Sequence, residues 1–353
     1  MTPRTIFIDF KLQLDHHHHN KTQFAQFREA MYHFEPQSVR NTLGKLISPE
    51  ATIHLAHPLG TVSGPGEFYD TAYAPLHHSL PDLERRDFIV MAGPGLDNGH
   101  HWVGCCGYYQ GRFTQPWLDI PPTGGFSAMR YHEFFHFVED EIVEIQALWD
   151  IPELMMQARA WPMSPSLGFE SITPGPATND GLVNGPRDDE LSERSRELVL
   201  AMLNGLGRYA EGGVQAMELE RYWHPGFNWY GPAGIGTSRG ISGFRRCHQI
   251  PFLNAMPDRR ALLGRNSHFF ADGDYVAFTA WPGMEMTISG DGWLGIAPAN
   301  QFITLRSLDF WRCENGKIRE NWVLVDLLDM YHQLGVDVLA RMIELNPPTR
   351  ATE

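Results

Sequence analysis

The chain has 353 residues, a formal net charge of −14 and 42% hydrophobic residues. It is long enough for two ordinary domains, each with a core of its own. The acidic balance argues against a nucleic-acid or anionic-membrane surface, which needs clustered Lys and Arg, and no run of about 18 apolar residues offers a transmembrane span.

The first fifteen residues, MTPRTIFIDFKLQLD, lack the charged start, apolar core and cleavage site of a signal peptide. Cys105, Cys106, Cys247 and Cys313 show neither metal-ligand spacing nor a disulfide framework. The expectation is a reduced, cytoplasmic protein. HHHH at 16–19 invites a metal reading, but four adjacent histidines cannot all face one ion from a regular strand or helix. It reads as a solvated polar run or a loop–helix junction, and no metal site is expected.

Residues 21–34, KTQFAQFREAMYHF, carry apolar positions at helical spacing. A short strand, a Gly-rich turn and a further helical piece follow. Strand-like segments come next: RRDFIVMAG, HHWVGCCGYYQGRF, FSAMRYHEFFHFVED and EIVEIQALWD. A stretch rich in Pro, Gly and Asp at 163–190 reads as a linker over the surface. Then the order repeats. ERSRELVLAMLNGLGRYA, at 193–210, opens a second copy with a helix, and ENGK at 314–317 is a hairpin turn signal between apolar runs. A C-terminal helix is expected over 336–346. Helices first and antiparallel strands afterwards is an α+β pattern.

The repeat has a fixed register. Asp150 ends the apolar run IQALWD and Asp326 ends NWVLVD, and 326 − 150 = 176. Slid by 176, the chain meets itself in 19 identities over about 110 positions. Among them Gly60, Thr61 and Gly64 fall on Gly236, Thr237 and Gly240. Phe68 falls on Phe244, Trp117 on Trp293, Arg130 on Arg306 and Phe134 on Phe310. A repeat of this length means two copies of one domain. The expected boundaries are an N-terminal extension 1–20, domain 1 at 21–162, the linker 163–190, and domain 2 with its C-terminal helix at 191–353.

The run DGWLGIAPANQFITLRSLDFWRCENGKIRENWVLVDLLDMYHQLG resembles the closing half of SnoaL-like polyketide cyclases. That family has a G-I-x-P-T-G turn, a strand, a hairpin of dGKI type, then W-x-x-x-D…QLG. The first copy keeps the turn as DIPPTGG at 119–125, followed by FFHFVEDEIVEIQALWD. The resemblance implies two tandem cone-shaped α+β barrels of the SnoaL-like and nuclear transport factor 2-like (NTF2-like) kind, each with helices on a curved antiparallel sheet. It also implies chemistry without a cofactor. Such domains usually pair through their sheets, so a tandem chain is expected to form an internal pseudo-dimer, with a homo-oligomer also possible.

Alternation puts Glu144, Gln146, Leu148 and Asp150 on one strand face and Ile145, Ala147 and Trp149 on the other. A carboxylate on a barrel-lining face is costly to bury ionised, and burial raises its pKa toward the working range. In the cyclases an aspartate resembling these is the proposed acid–base for an aldol step, so Asp150 and Asp326 are the catalytic candidates. Both also precede helical segments, where aspartate is a good N-cap.

Histidines separate the copies. His54, His57, His77, His78, His101 and His132 are matched by Tyr230, Ala233, Leu253, Asn254, Ala277 and Leu308. This asymmetry points to the first copy as the working cavity, with His57, His78 or His132 assisting Asp150. His54, His101, Trp102, Trp117, Arg130 and Tyr131 are the expected substrate contacts. The expected function is a cofactor-independent cyclase, isomerase or hydratase on a hydrophobic carbonyl-bearing small molecule. A non-catalytic binding or accessory protein is the alternative, and in a third reading the second copy merely supports the first.

Overall fold

The computed structural model describes residues 16–96, 100–262, 264, 267–290 and 293–346. Residues 1–15 of the expected N-terminal extension, and Asp291 and Gly292 of the quoted motif, lie outside the described residues. The helix His16–Tyr32 takes in the histidine run as its first turn, and His19 Nε2 meets Asp140 at 2.7 Å. Phe24, Phe27 and Met31 recur at helical spacing and are fully buried.

In the first unit the strands are β1 Ile47–Leu55, β2 Thr61–Ser63, β3 Glu84–Pro94, β4 His101–Arg112, β5 Phe126–Val138 and β6 Glu141–Trp149. The second unit has β7 Trp223–Tyr230, β8 Thr237–Arg239, β9 Arg260–Ala261, β10 Ser267–Asp272, β11 Tyr275–Thr287, β12 Phe302–Glu314 and β13 Lys317–Val325. The first sheet runs β2-β1-β6-β5-β4-β3. The second runs β10-β11-β12-β13-β7-β8, with β9 paired to β11. The expected run of antiparallel strands holds for β3–β6 and β10–β13, but β1 lies parallel to β6 and β7 parallel to β13. Helical segments intervene between β1 and the later strands, which frees β1 to return in parallel. The ENGK turn closes β12 onto β13 with Asn315 and Gly316 at φ 50° and 71°, the positive values that a tight hairpin turn needs.

Each unit covers one face of its sheet with its own helices. The other faces meet. Phe134 stacks on Phe310 with ring centroids 5.0 Å apart, and His132 Nδ1 lies 2.7 Å from the carbonyl of Leu308. Both pairs are residues of β5 facing their own counterparts 176 positions on. This explains the burial of β5, where every residue from Ser127 to Phe137 is buried. With both faces covered, alternation cannot tell which face is the domain interior. The face carrying Arg130, His132 and Phe134 meets the other unit. The face carrying Tyr131, Glu133 and Phe135 lines the cone.

The segment between the units is pinned along one side of this seam. Phe169 pairs with Thr237, Leu182 bridges to Val90, and the Trp322 indole donates to the carbonyl of Pro174 at 3.0 Å. Lys21 of the first helix forms a buried ion pair with Asp272 of β10 at 2.6 Å. The helices Leu327–Gln333 and Val338–Leu345 follow β13. No described helix is long and apolar enough to cross a membrane.

Candidate active site

The two cones share a plan and differ in what fills them. In the first, Arg85 and Glu133 form an ion pair with no solvent exposure, and Arg85 also reaches Asp87 at 2.9 Å. Tyr109 Oη and Trp149 Nε1 each donate to Glu133 at 2.8 Å. Tyr131 Oη donates to Asp87 at 2.6 Å, and its ring lies 4.1 Å below the Arg85 guanidinium. Tyr73 and Tyr109 touch through their hydroxyls at 3.1 Å. The interior is thus packed with large side chains that satisfy one another.

In the second cone the same positions hold smaller residues. Arg85 is matched by Ala261, Tyr131 by Ser307, Glu133 by Asp309, Trp149 by Val325 and Tyr73 by Gln249, all 176 apart. Tyr109 is matched by Met284, because each pairs with the counterpart of the other's neighbour, Met129 or Leu305. A bulge in β11 between Ala280 and Met284 shifts that match by one residue. All six small residues line a cavity of about 580 Å³, a size that holds a drug-sized molecule. Its walls are aromatic, with Trp229, Phe244, Phe252, Phe278, Trp293 and Trp311.

Asp309 is the one carboxylate among the described residues lining this cavity. It sits on β12 opposite Phe278 and Val323. Its partner is Ser307, whose hydroxyl donates at 2.9 Å, and among the described residues no cation faces it where Arg85 faces Glu133. Burial pushes its carboxyl up to about 7, with the Ser307 bond pulling weakly the other way. His248 lies on a π-helical turn, Arg245–Gln249, a distortion often found at functional sites. Its ring stacks on Trp229 at 4.2 Å, and burial pushes its pKa down to about 3, so it is a neutral imidazole near pH 7. Its Nδ1 is buried without a partner among the described residues. Asn321 completes the polar group, its amide donating to the carbonyl of Phe310 at 3.0 Å.

The expected cavity of the first copy is therefore filled, and the open one lies in the second. The residues singled out from the sequence are distributed elsewhere. Asp150 Oδ2 accepts the amide of Ala233 at 3.0 Å and lies 3.5 Å from Arg130. Asp326 Oδ2 accepts the amide of His57 at 3.0 Å, and its Oδ1 caps the next helix at Asp329. Since 233 − 57 = 176, each aspartate clamps the same loop of the opposite unit. Burial pushes both carboxyls up to about 6, against the pull of Arg130 and Arg306. They stand on the seam, and the described cavity does not include them.

His57 stacks on His332 at 4.5 Å and His54 on Trp281 at 5.5 Å, both across the seam, and burial lowers the pKa of His54 and His57. His132 is buried between the sheets, and burial followed by the charge of Arg130 holds it well below the usual histidine range. Arg130 spends its guanidinium on the carbonyls of Tyr230, Gly231 and Val323. Trp102 packs on His136 and His268 at the sheet junction. His101 lies near His16 and His17 of the first helix. Tyr131 and Trp117 fill the first cone, Trp117 lying 6.2 Å from Trp149. His78 is exposed, in a shallow groove with His77 and Arg40. Sequence reasoning missed Asp309, His248 and Asn321. Their signal was the loss of bulk at Ala261, Ser307 and Val325 against Arg85, Tyr131 and Trp149.

The second unit is thus a half-open cone of helices on a curved sheet, with an ionisable group in its wall. Residues 210–334 match the family model of SnoaL-like polyketide cyclases. That match covers the second unit alone; the first unit repeats its strand order, so the chain carries two α+β cones of one plan in tandem. Among solved structures it is similar to IdmH of Streptomyces antibioticus, assigned to the polyketide cyclases. That likeness has 19% identity, 39% of this chain, 96% of that one and a TM-score of 0.33. A SnoaL-like protein of Jannaschia sp. CCS1 is similar at 15% identity over 45% of this chain and 97% of its own, TM-score 0.33. AclR of Streptomyces galilaeus, assigned as a hydroxylase, shares 16% identity over 40% of this chain and 96% of its own, TM-score 0.33. Comparison with curated proteins finds no match.

Proposed function

We propose that the second unit is an acid–base enzyme acting on a hydrophobic, carbonyl-bearing small molecule, with Asp309 as the proton carrier. The observation that carries this reading is the position of Asp309: among the described residues, one uncompensated carboxyl in the wall of an aromatic cavity, opposite no cation. A carboxyl poised near 7 exists in both forms at working pH, the condition under which general acid–base transfer is most effective.

The chemistry follows from the groups present. Ionised Asp309 takes a proton from carbon next to the bound carbonyl. The C–H electron pair moves into the carbonyl as an enolate, and conjugation in the substrate spreads the charge. Protonated Asp309 then returns the proton to another atom, or the enolate carbon attacks a second carbonyl to close a ring and protonated Asp309 delivers its proton to the alkoxide formed there. Neutral His248 and the Asn321 amide are the polar groups able to orient the substrate. Ser307 holds the Asp309 carboxyl in one orientation.

On this reading the first unit is a scaffold, and the two units form an internal pseudo-dimer. Support for that arrangement comes from the stacked Phe134 and Phe310 and from the reciprocal clamps of Asp150 and Asp326. The test uses 2-tetralone, a fused-ring ketone, and solvent deuterium exchange at its α carbons followed by NMR. The full-length protein is expected to accelerate exchange, and Asp309→Asn to lower that acceleration by about a hundredfold or more. Equal exchange by both proteins would remove Asp309 from the chemistry. Binding without any exchange would favour the alternative, a small-molecule-binding protein.

A further inference from the structure

Arg259 lines the same cavity, on the turn between the helix Ile250–Ala255 and β9. It is half-buried, and its guanidinium lies 6.0 Å from the centre of the Phe252 ring. Among the described residues no carboxylate pairs with it, whereas its neighbour Arg260 is paired with Glu285. Burial accordingly works against its charge. An arginine left half-buried without a counter-ion carries an electrostatic cost, which an arriving anion would offset.

The sister unit shows that Arg259 is aimed inward. The turn itself is the same in both copies: Asp258 Oδ1 accepts the amide of Thr287 at 2.8 Å, and Asp82 Oδ1 accepts that of Arg112 at 2.7 Å. The residue after each aspartate is therefore held alike. In the first unit it is Leu83, 3% exposed and part of the core of a filled cone. In the second it is an arginine facing the open one.

The register of the sheet gives the span. β9 pairs Ala261 with Met284, and Met284 pairs with Leu305 on β12. Asp309 lies four residues further along β12, roughly 13 Å at the usual strand rise. Arg259 thus stands near one end of the cavity and Asp309 near the other, with aromatic walls between them.

We propose that the natural ligand is an amphipathic organic acid: a ring-bearing carbonyl compound whose carboxylate is bound by Arg259 while its carbonyl end lies at Asp309. This rests on the reading of the cavity given above and adds the ligand's charge. A planar guanidinium takes a carboxylate through two parallel N–H bonds, which fixes the direction in which the molecule enters.

Two matched probes test it at pH 6, 2-naphthoate and its neutral methyl ester, titrated against the full-length protein by tryptophan fluorescence. The acid is expected to bind at least about tenfold tighter than the ester. Arg259→Leu, which copies Leu83 of the sister unit, is expected to abolish that preference and leave the ester's affinity unchanged or higher. Arg194→Leu, at an exposed arginine outside the cavity lining, is expected to change neither. Equal binding of the two probes by the unaltered protein, binding of neither, or a parallel loss of both in Arg259→Leu overturns the proposal. Asp309→Asn is expected to keep the preference for the acid, so a failure of the acid–base reading shows in the exchange assay alone.

Discussion

Asp309 stands where Glu133 stands in the sister sheet, 176 residues earlier, yet only Glu133 has an arginine against it. Among the described residues, the same backbone site thus holds a compensated carboxylate in one copy and an uncompensated one in the other. Burial drives the second upward in pKa, and the Ser307 hydroxyl alone pulls against it among the described residues.

That difference sets a pH dependence. The native state keeps on Asp309 a proton that the unfolded chain releases between about pH 4 and about pH 7, so this group's contribution to stability falls as pH rises through that window. Asp309→Asn removes the dependence. The variant is expected to match the parent near pH 4 and to exceed it at pH 8, by at most about 4 kcal/mol. Chemical denaturation at the two pH values checks this, and a variant less stable at pH 8 would contradict a neutral, buried carboxyl.

The packed first cone predicts the opposite behaviour. Arg85→Met leaves Glu133 buried without its cation and is expected to cost about 3–5 kcal/mol. Adding Glu133→Gln should recover part of that loss, since the stranded charge is gone. A double-mutant cycle by urea denaturation measures the recovery, and strictly additive losses would show that the pair acts separately.

Refilling the second cone is a test of the cavity itself. Val325→Trp restores the side chain that Trp149 supplies in the first unit. The variant is expected to keep its fold and to lose affinity for aromatic probes at least tenfold. Unchanged probe binding in a folded Val325→Trp protein would place the ligand elsewhere.

The seam aspartates give a further contrast. Asp150→Ala strips the acceptor from the amide of Ala233, and Asp326→Ala does the same for His57. Each is expected to cost about 1–3 kcal/mol in stability for the orphaned donor. Exchange of 2-tetralone at a temperature where both variants remain folded is expected to match the parent. A loss there instead would restore these two residues to the chemistry.

The duplication was legible in the residues because glycines, prolines and one arginine fix turns and contacts that tolerate little change. The offset of 176 even names pairs that touch, such as Phe134 with Phe310. The position of the cavity was hidden by two things. The seam histidines, His54, His57 and His132, resemble catalytic groups by type, but they serve contacts between the units. Every residue of β6 from Ile145 to Trp149 is buried, so alternation could not distinguish Asp150's face from Trp149's. Comparing side-chain volume across the offset, rather than histidine content, separates the copies at Arg85 and Ala261, Tyr131 and Ser307, and Trp149 and Val325. Tyr109 and Met284 escape an ungapped comparison because of the bulge in β11.

The pinned segment that joins the units has a consequence for how such a protein can change. In an assembly of two identical chains every substitution occurs twice, so a tryptophan that plugs one cone plugs both. Here each half has its own codons. One half could harden into a salt-bridged wedge while its twin stayed hollow, and the chain kept both the stiffness of the one and the vacancy of the other.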